Sequence, residues 1–294
     1  MSSAIIVLVC MALPLAFTFR AKTSSGSTGR SSLPERTAQN IHWRRRLQHA
    51  TCGLSIVGGY LWVITDTRAV VALLSFSGAA LLVLHHLRRC AKSVDDLYLR
   101  FIGPLLRPHE IRGELPGGFW YLLGAAGAVW LFPRVVALQS ILHLSLGDPV
   151  ASVVGIRSGD RYRVLPAGKS LAGTFAAFLV CLLSTLLLFG SCCFQPPGED
   201  ECSAYHGGES NRDCSGSASR SSSALFDIFG AFTVPGCDAV GSSNPGRSLS
   251  LLLWYALLGG VSGAVGEFLP LGVDDNLSMP IASGVIFLAL AACT

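Results

Sequence analysis

Three short stretches concentrate the side chains suited to holding phosphate and a divalent cation: GDPVASVVG at 147–155, GKSLAGT at 168–174 and VDDNLSMP at 273–280. The first places Asp148 inside an otherwise apolar run. A charge at membrane depth costs roughly 2.5–3.5 kcal/mol on insertion scales, so Asp148 reads either as a functional group or as an interfacial helix cap. Pro149 removes a backbone donor beside it, and Gly147, Ala151, Ser152 and Gly155 keep the surface small enough for a helix or ligand to come close. The second stretch sets Lys169, Ser170 and Thr174 at a helix start, where free N–H groups and a cation favour an anion. A lysine anchoring a span at the interface accounts for Lys169 equally well. GKS here is not a Walker A loop, because Arg163 occupies the place of its first glycine. The third stretch joins Asp274 and Asp275 to Asn276. This set suits a hard cation such as Mg²⁺ that shares nucleotide phosphates, or alternatively a turn capping the last helix. Glu267 lies in or just below the preceding apolar run.

The elements that must position these residues are membrane helices. A chain of 294 residues that is 51% hydrophobic and only 14% charged, with a mean hydropathy of +0.52, is too apolar for an ordinary soluble domain. The expected fold is all-α, a polytopic membrane bundle of about seven core helices plus an N-terminal signal or anchor segment. Apolar windows near 51–65, 69–87, 117–132, 135–155, 171–190, 249–270 and 279–293 supply the spans, the first and third being short of the ~20 residues expected.

Basic residues gather in every second connection, as they do on a cytoplasmic face. Arg44, Arg45 and Arg46 precede the first span; Arg88, Arg89, Lys92, Arg100, Arg107 and Arg112 follow the second; Arg157, Arg161, Arg163 and Lys169 follow the fourth. The same parity brings the Asp274 to Asn276 turn to that face. An acidic turn, a carboxylate in a span, a lysine-bearing helix start and an arginine cluster on one face point to a metal-bound polyphosphate. A net charge of +4 gives no sign of a nucleic-acid partner, and nothing identifies a protein partner.

Four segments are expected: a targeting segment over 1–40, a first part of the membrane core over 41–190, a Ser-, Gly- and Cys-rich loop over 191–247 and closing helices over 248–294. Half of the ten cysteines, Cys192, Cys193, Cys202, Cys214 and Cys237, fall in that loop on the opposite face. This density suggests disulfides or structural thiols. A zinc site is the alternative, although no CxxC pair is present and His206 is the loop's single histidine. IIVLVCMALPLAFTF at 5–19 has the length of a signal-peptide core. It reads as an anchor of an endoplasmic-reticulum protein, or, with the Ser- and Arg-rich stretch behind it, as a two-part presequence directing the chain to a plastid membrane.

These blocks resemble the CTP-dependent lipid kinases, comprising fungal-type diacylglycerol kinase, dolichol kinase and phytol kinase. RRLQHATCGL at 45–54 is similar to the family's basic-then-histidine opening, with Arg45, Arg46 and His49 at the matching positions. LYLRFIGPLLRPHEIRGELPGGFWYLLG at 97–124 looks most like the diacylglycerol kinase branch, through Leu97, Tyr98, Glu110, Ile111, Trp120 and Tyr121. GDPVASVVG, GKSLAGT and VDDNLSMP match the acidic, lysine-serine and closing acidic-asparagine motifs. Pro149 stands where the fungal diacylglycerol kinases usually carry Thr, and Ile156 where an Arg often follows the glycine.

The resemblance implies transfer of the CTP γ-phosphate to diacylglycerol, giving phosphatidate, with Mg²⁺ or another divalent cation and a membrane lipid as acceptor. Asp148 and Lys169 are then catalytic. Arg45, Arg46, Gly155, Lys169 and Ser170 bind nucleotide; Asp148, Asp274, Asp275 and Asn276 hold metal; His49, Glu110 and Glu267 support them. A polyprenol kinase acting on phytol or dolichol is the nearest alternative. A transporter whose intramembrane carboxylates carry ions is the alternative from another class. The dense C-terminal signature of a cytidylyltransferase is absent.

Overall fold

The apolar run that begins at residue 67 folds into one helix of 24 residues, α2 (Thr67–Cys90), about 36 Å long at 1.5 Å per residue. Asp66 starts it, its carboxylate accepting the N–H groups of Arg68 and Ala69 at 3.1 and 3.3 Å and so satisfying two of the donors a helix start leaves free. The computed structural model of the protein describes residues 43–64, 66–158, 168–193 and 245–293. The targeting segment 1–40, the loop over 194–244, and Arg161 and Arg163 lie outside the described residues.

Ahead of α2, α1 (Trp43–Trp62) carries the basic cluster at its start. At its other end, Arg134 donates to the carbonyls of Tyr60 and Leu61 at 2.6 and 3.2 Å, a cation on the carbonyl end of a helix. After α2 the chain makes short amphipathic turns, α3 (Lys92–Phe101), a 3₁₀ turn (Gly103–Leu105) and α4 (Pro108–Ile111). Buried Arg88 fastens them to α2. It pairs with Asp95 at 2.8 Å, donates to the carbonyls of Glu110 and Ile111 and lies 4.6 Å from the Tyr98 ring centroid. α5 (Gly117–Leu131) then returns alongside α2.

The segment 134–157 is helical throughout but not uniform: α6 (Arg134–Leu142), a π turn (His143–Gly147) and α7 (Asp148–Arg157) follow without a break. The π turn directly precedes the Asp148-Pro149 pair. Proline lacks an N–H and crowds the preceding turn, and a π turn is the local widening that relieves such a misfit. Three further helices follow among the described residues: α8 (Leu171–Cys193), α9 (Pro245–Phe268) and α10 (Asp275–Ala292).

The described residues contain no strand. Among the described residues four helices are long and apolar enough to cross a membrane: α2, 171–190 of α8, 249–268 of α9, and α10. Of the other expected spans, 117–132 coincides with the 15-residue α5, 135–155 with the composite helix containing the π turn, and 51–65 with the apolar end of α1. The composite run occupies the centre of the bundle, where Val136, Ala137, Leu138, Ile141 and Leu144 are buried against Phe287 and Met279 of α10. Outward, α8 presents Leu179, Leu183 and Leu187, spaced four apart and each about half exposed, as a lipid-facing row.

Small residues set the closest crossing. A Cβ added to Gly124 of α5 would collide with the Asn276 carbonyl and come within 3.0 Å of Pro280, so this glycine is what lets α5 and α10 touch backbone to backbone. Gly124→Leu is expected to push α10 outward and lower the melting temperature by 10 °C or more, an overpacking cost of several kcal/mol. Thermal unfolding in detergent checks this, with Gly118→Leu, which faces looser surroundings, as the control.

Candidate active site

At the bundle end that holds the start of α1, five elements converge. α1 brings Arg45, Arg46 and His49; α4 brings Glu110; the composite helix brings Asp148 and Ser152. The start of α8 brings Lys169, and the α9–α10 turn brings Glu267, Asp274, Asp275 and Asn276. Lys169, Glu267, Asp274, Asp275 and Asn276 arrive at helix ends, whereas Asp148 and Ser152 arrive from within the composite helix, just past its π turn.

The framework is a set of hydrogen bonds between residues far apart in sequence. His49 Nε2 donates to Asn276 Oδ1 at 2.7 Å, and Asn276 Nδ2 donates to the Gly117 carbonyl at 3.3 Å. The Tyr121 ring packs edge-on against His49, centroids 4.6 Å apart. Glu110, 3% exposed, accepts the Arg107 N–H at 2.8 Å and the Gly117 N–H at 2.9 Å. It therefore starts α4 and α5 together, a buried carboxylate satisfied by backbone donors. Gly117 has room for no side chain: an added Cβ would come within 3.1 Å of Glu110 and Asn276 and 3.6 Å of Arg45 Nη2.

Around this framework the charges are paired. Lys169 donates to the Glu267 carbonyl and lies 3.4 Å from the Glu267 carboxylate and 3.6 Å from that of Asp275. Thr174 donates to Glu267 at 3.3 Å. Asp274 caps α10 through the Asn276 N–H at 3.0 Å and faces Arg107 at 3.7 Å. Arg46 Nη2 donates to Ser152 at 2.5 Å, while its Nη1 is buried without a hydrogen-bond partner among the described residues.

Asp148 stands between these groups. It makes no hydrogen bond or ion pair among the described residues, yet its charge acts on Arg45, Arg46 and His49 and on Glu267 and Asp275. Burial, reinforced by Arg107, lowers the Arg45 guanidinium from its ordinary value, and Glu110, Asp148 and Asp274 oppose the shift. It remains cationic at neutral pH. His49 is lowered by burial and held up by Asp148 and Asn276, which favours a neutral ring donating through Nε2.

Two sequence candidates take places of their own. Ser170 is buried and caps α8, its hydroxyl accepting the Gly173 N–H at 3.0 Å. Gly155 faces it, with a Cβ there 2.9 Å from Ser170 Oγ. This pair locks α7 against the start of α8 beside Lys169. Arg107 and Ser152 belong to the site although neither was singled out by chemistry. The signal for Arg107 was its place three residues before Glu110, and for Ser152 its place one turn after Asp148.

Among the described residues no three His, Cys, Asp or Glu side chains converge on a metal position. Asp148 and Asp275, one without a hydrogen bond and one exposed beside Lys169, nevertheless suit a cation that takes one or two carboxylates and completes its shell with phosphate and water. Asp274 and Asn276 already use oxygens in the cap and in the bond to His49.

Three curated fungal proteins named CTP-dependent diacylglycerol kinase 1 are similar to this chain. That of Eremothecium gossypii is 28% identical over 249 residues, 84% of this chain and 67% of the relative. That of Schizosaccharomyces pombe is 31% identical over 191 residues, 65% and 66% respectively. That of Saccharomyces cerevisiae is 27% identical over 247 residues, 84% and 72%. The chain thus spans about two thirds of the length of these relatives. No family model matches the chain, and no solved structure does.

Proposed function

Because this chain belongs to the CTP-dependent lipid kinases, we propose that it is a membrane-embedded diacylglycerol kinase that transfers the γ-phosphate of CTP to diacylglycerol, giving phosphatidate and CDP. The observation that carries the reading at the level of residues is the convergence of Arg45, Arg46 and Lys169 with Asp148 and Asp275 at one end of the bundle. Phosphoryl transfer asks a protein mainly for positioning and charge neutralisation, and this set supplies both.

Arg45, Arg46 and Lys169 bind the triphosphate, with Arg46 Nη1 a buried donor available for a phosphate oxygen. Lys169 exchanges its contacts with Glu267 and Asp275 for that ligand. Asp148 and Asp275 hold Mg²⁺ or another divalent cation, which when bound neutralises charge on the transferring phosphoryl group. The His49–Asn276–Gly117 and Glu110 contacts keep α1, α5 and α10 in register around it. Ser170 and Gly155 position Lys169 through the start of α8. The acceptor oxygen forms a bond to the γ-phosphorus as the β,γ-bridging bond breaks. The electron pair leaves with CDP, and the hydroxyl proton passes to a carboxylate of the cluster.

The basic connections support a cytoplasmic location for this end. The short α5, the composite helix and the apolar part of α1 join the four long helices as the remaining spans of a seven-helix core. The endoplasmic reticulum suits the substrates of such an enzyme, and a fluorescently tagged full chain tests that location against a plastid membrane. The reaction is tested with purified protein in detergent, Mg²⁺, labelled CTP or ATP, and a panel of lipid alcohols. Phosphatidate from diacylglycerol and CTP is expected. Phosphorylation of phytol or dolichol alone transfers the assignment to a polyprenol kinase, and no phosphorylated lipid from any pair sinks it.

A further inference from the structure

A cavity of about 890 Å³ opens beside the catalytic cluster, between the last turns of α2 and the segment from α4 to the start of α5. Its wall toward the bilayer is apolar, built from Leu82, Val83 and Leu87 with Leu115 and Trp120 opposite. Leu82, Val83 and Leu87 are 42, 58 and 48% exposed, so the cavity runs into the surface that α2 presents to lipid. The rest of its lining is polar, with His86, Arg89, His109, Glu114 and Asp274. His85 lines it too, largely buried, with Nδ1 lacking a hydrogen-bond partner among the described residues.

The geometry points to this groove as the acceptor-lipid site, with His86, Arg89 and His109 selecting a glycerol diester through its carbonyl oxygens. This rests on the kinase reading above and adds to it where the lipid lies and what distinguishes it. Asp274 lines the groove and also stands next to Asp275 and opposite Arg107 at the catalytic end. An amphipathic molecule in the groove therefore has its chains among the exposed leucines of α2 and its free hydroxyl at Asp274. The hydroxyl thereby stands at the edge of the catalytic cluster, where its proton passes to a carboxylate as the new O–P bond forms and CDP departs.

A histidine ring offers at least one N–H donor in one of its tautomers and arginine five, so the rim carries donors close to where a hydroxyl must enter. Diacylglycerol holds two ester carbonyls within a few bonds of its hydroxyl, and each accepts such a donor. A polyprenol has only hydrocarbon there and offers these donors no acceptor. Each carbonyl–donor hydrogen bond that the diester makes and such an acceptor lacks favours the diester in kcat/KM.

The test compares dioleoylglycerol, its di-ether analogue and dolichol as acceptors for the full chain in lipid nanodiscs, with CTP and Mg²⁺. The wild type is expected to favour the diester over the di-ether by tenfold or more in kcat/KM. The double variant His86→Leu, His109→Leu removes most of that preference while the KM for CTP stays unchanged, and Val83→Trp raises the KM for every lipid. A preference that survives the double variant, or a KM for CTP that rises with it, overturns the assignment. Should the wild type phosphorylate no lipid alcohol, the kinase reading fails by itself. The groove is then judged by photocrosslinking with a diazirine-bearing diacylglycerol, where labelling of residues 82–89 and 115–120 supports it and labelling confined elsewhere overturns it.

Discussion

Asp148→Asn lowers kcat by about 10²–10³-fold, the scale on which removing one preorganised charge-stabilising group acts, and raises the Mg²⁺ concentration needed for half-maximal rate. The substitution keeps the volume and removes only the charge. Asp148 makes no hydrogen bond among the described residues for the amide to disturb, while its charge acts on Arg45, Arg46 and His49 from one side and on Glu267 and Asp275 from the other. The two arginines lose a counter-charge, so a modest fall in melting temperature accompanies the loss of rate. That fall is reversed by CTP without metal, because the triphosphate supplies the missing negative charge, and ligand binding to the folded state stabilises it by mass action. Steady-state kinetics across a Mg²⁺ series and thermal unfolding with and without CTP check both halves. A variant that unfolds readily but retains kcat and its Mg²⁺ dependence marks Asp148 as a counter-ion for the α1 arginines and removes it from the reaction.

How far the fold was legible follows from what each segment asks of its neighbours. The runs over 69–87, 171–190 and 249–270 are apolar along their length, and each corresponds to a helix long enough to cross a membrane. The segment 135–155 shows a limit of the same reasoning. Its hydropathy is that of a span, but the π turn at His143–Gly147 arises from the crowding of Pro149 against the preceding turn and from packing on α8 and α10, and neither carries a hydropathy signal. Hydropathy also leaves open whether α5, with 15 residues, is a span or a buried core helix.

The site was legible as residue types and illegible as partnerships. Charge parity brought Asp148, Lys169 and the Asp274 to Asn276 turn to one face, and the helices do bring them to one end. The bond from His49 to Asn276 joins residues 227 positions apart, beyond the reach of any local spacing. Ser170 is a related case. A serine at a helix start satisfies the N–H groups of its own first turn as readily as those of a ligand, and only the Gly173 contact reveals which it does here. Glu110, a minor candidate from its motif alone, turns out to join two helix starts because both of its oxygens find backbone donors.

Lys169→Ala is expected to lower kcat/KM for CTP by about 10²-fold or more, close to 2.7 kcal/mol at 1.36 kcal/mol per tenfold. The single variant does not isolate the cause, because Lys169 is also the partner of Glu267, whose side chain is only 10% exposed. Stripping a buried carboxylate of its cation typically destabilises by about 3–5 kcal/mol, and a distorted α9–α10 turn would displace Asp274 and Asp275 as well. The double variant Lys169→Ala, Glu267→Gln separates the effects. The neutral amide needs no counter-charge and keeps an oxygen for Thr174, so the melting temperature returns most of the way to that of the wild type. Activity does not return, because the triphosphate still lacks its ammonium. Glu267→Gln alone retains most of the rate and frees Lys169 from one of its two carboxylates, which lowers the KM for CTP. Thermal unfolding and CTP titrations on the three variants provide the comparison. Recovery of both stability and kcat/KM in the double variant confines Lys169 to neutralising Glu267 and leaves the triphosphate to Arg45 and Arg46. Recovery of stability alone assigns Lys169 to the nucleotide.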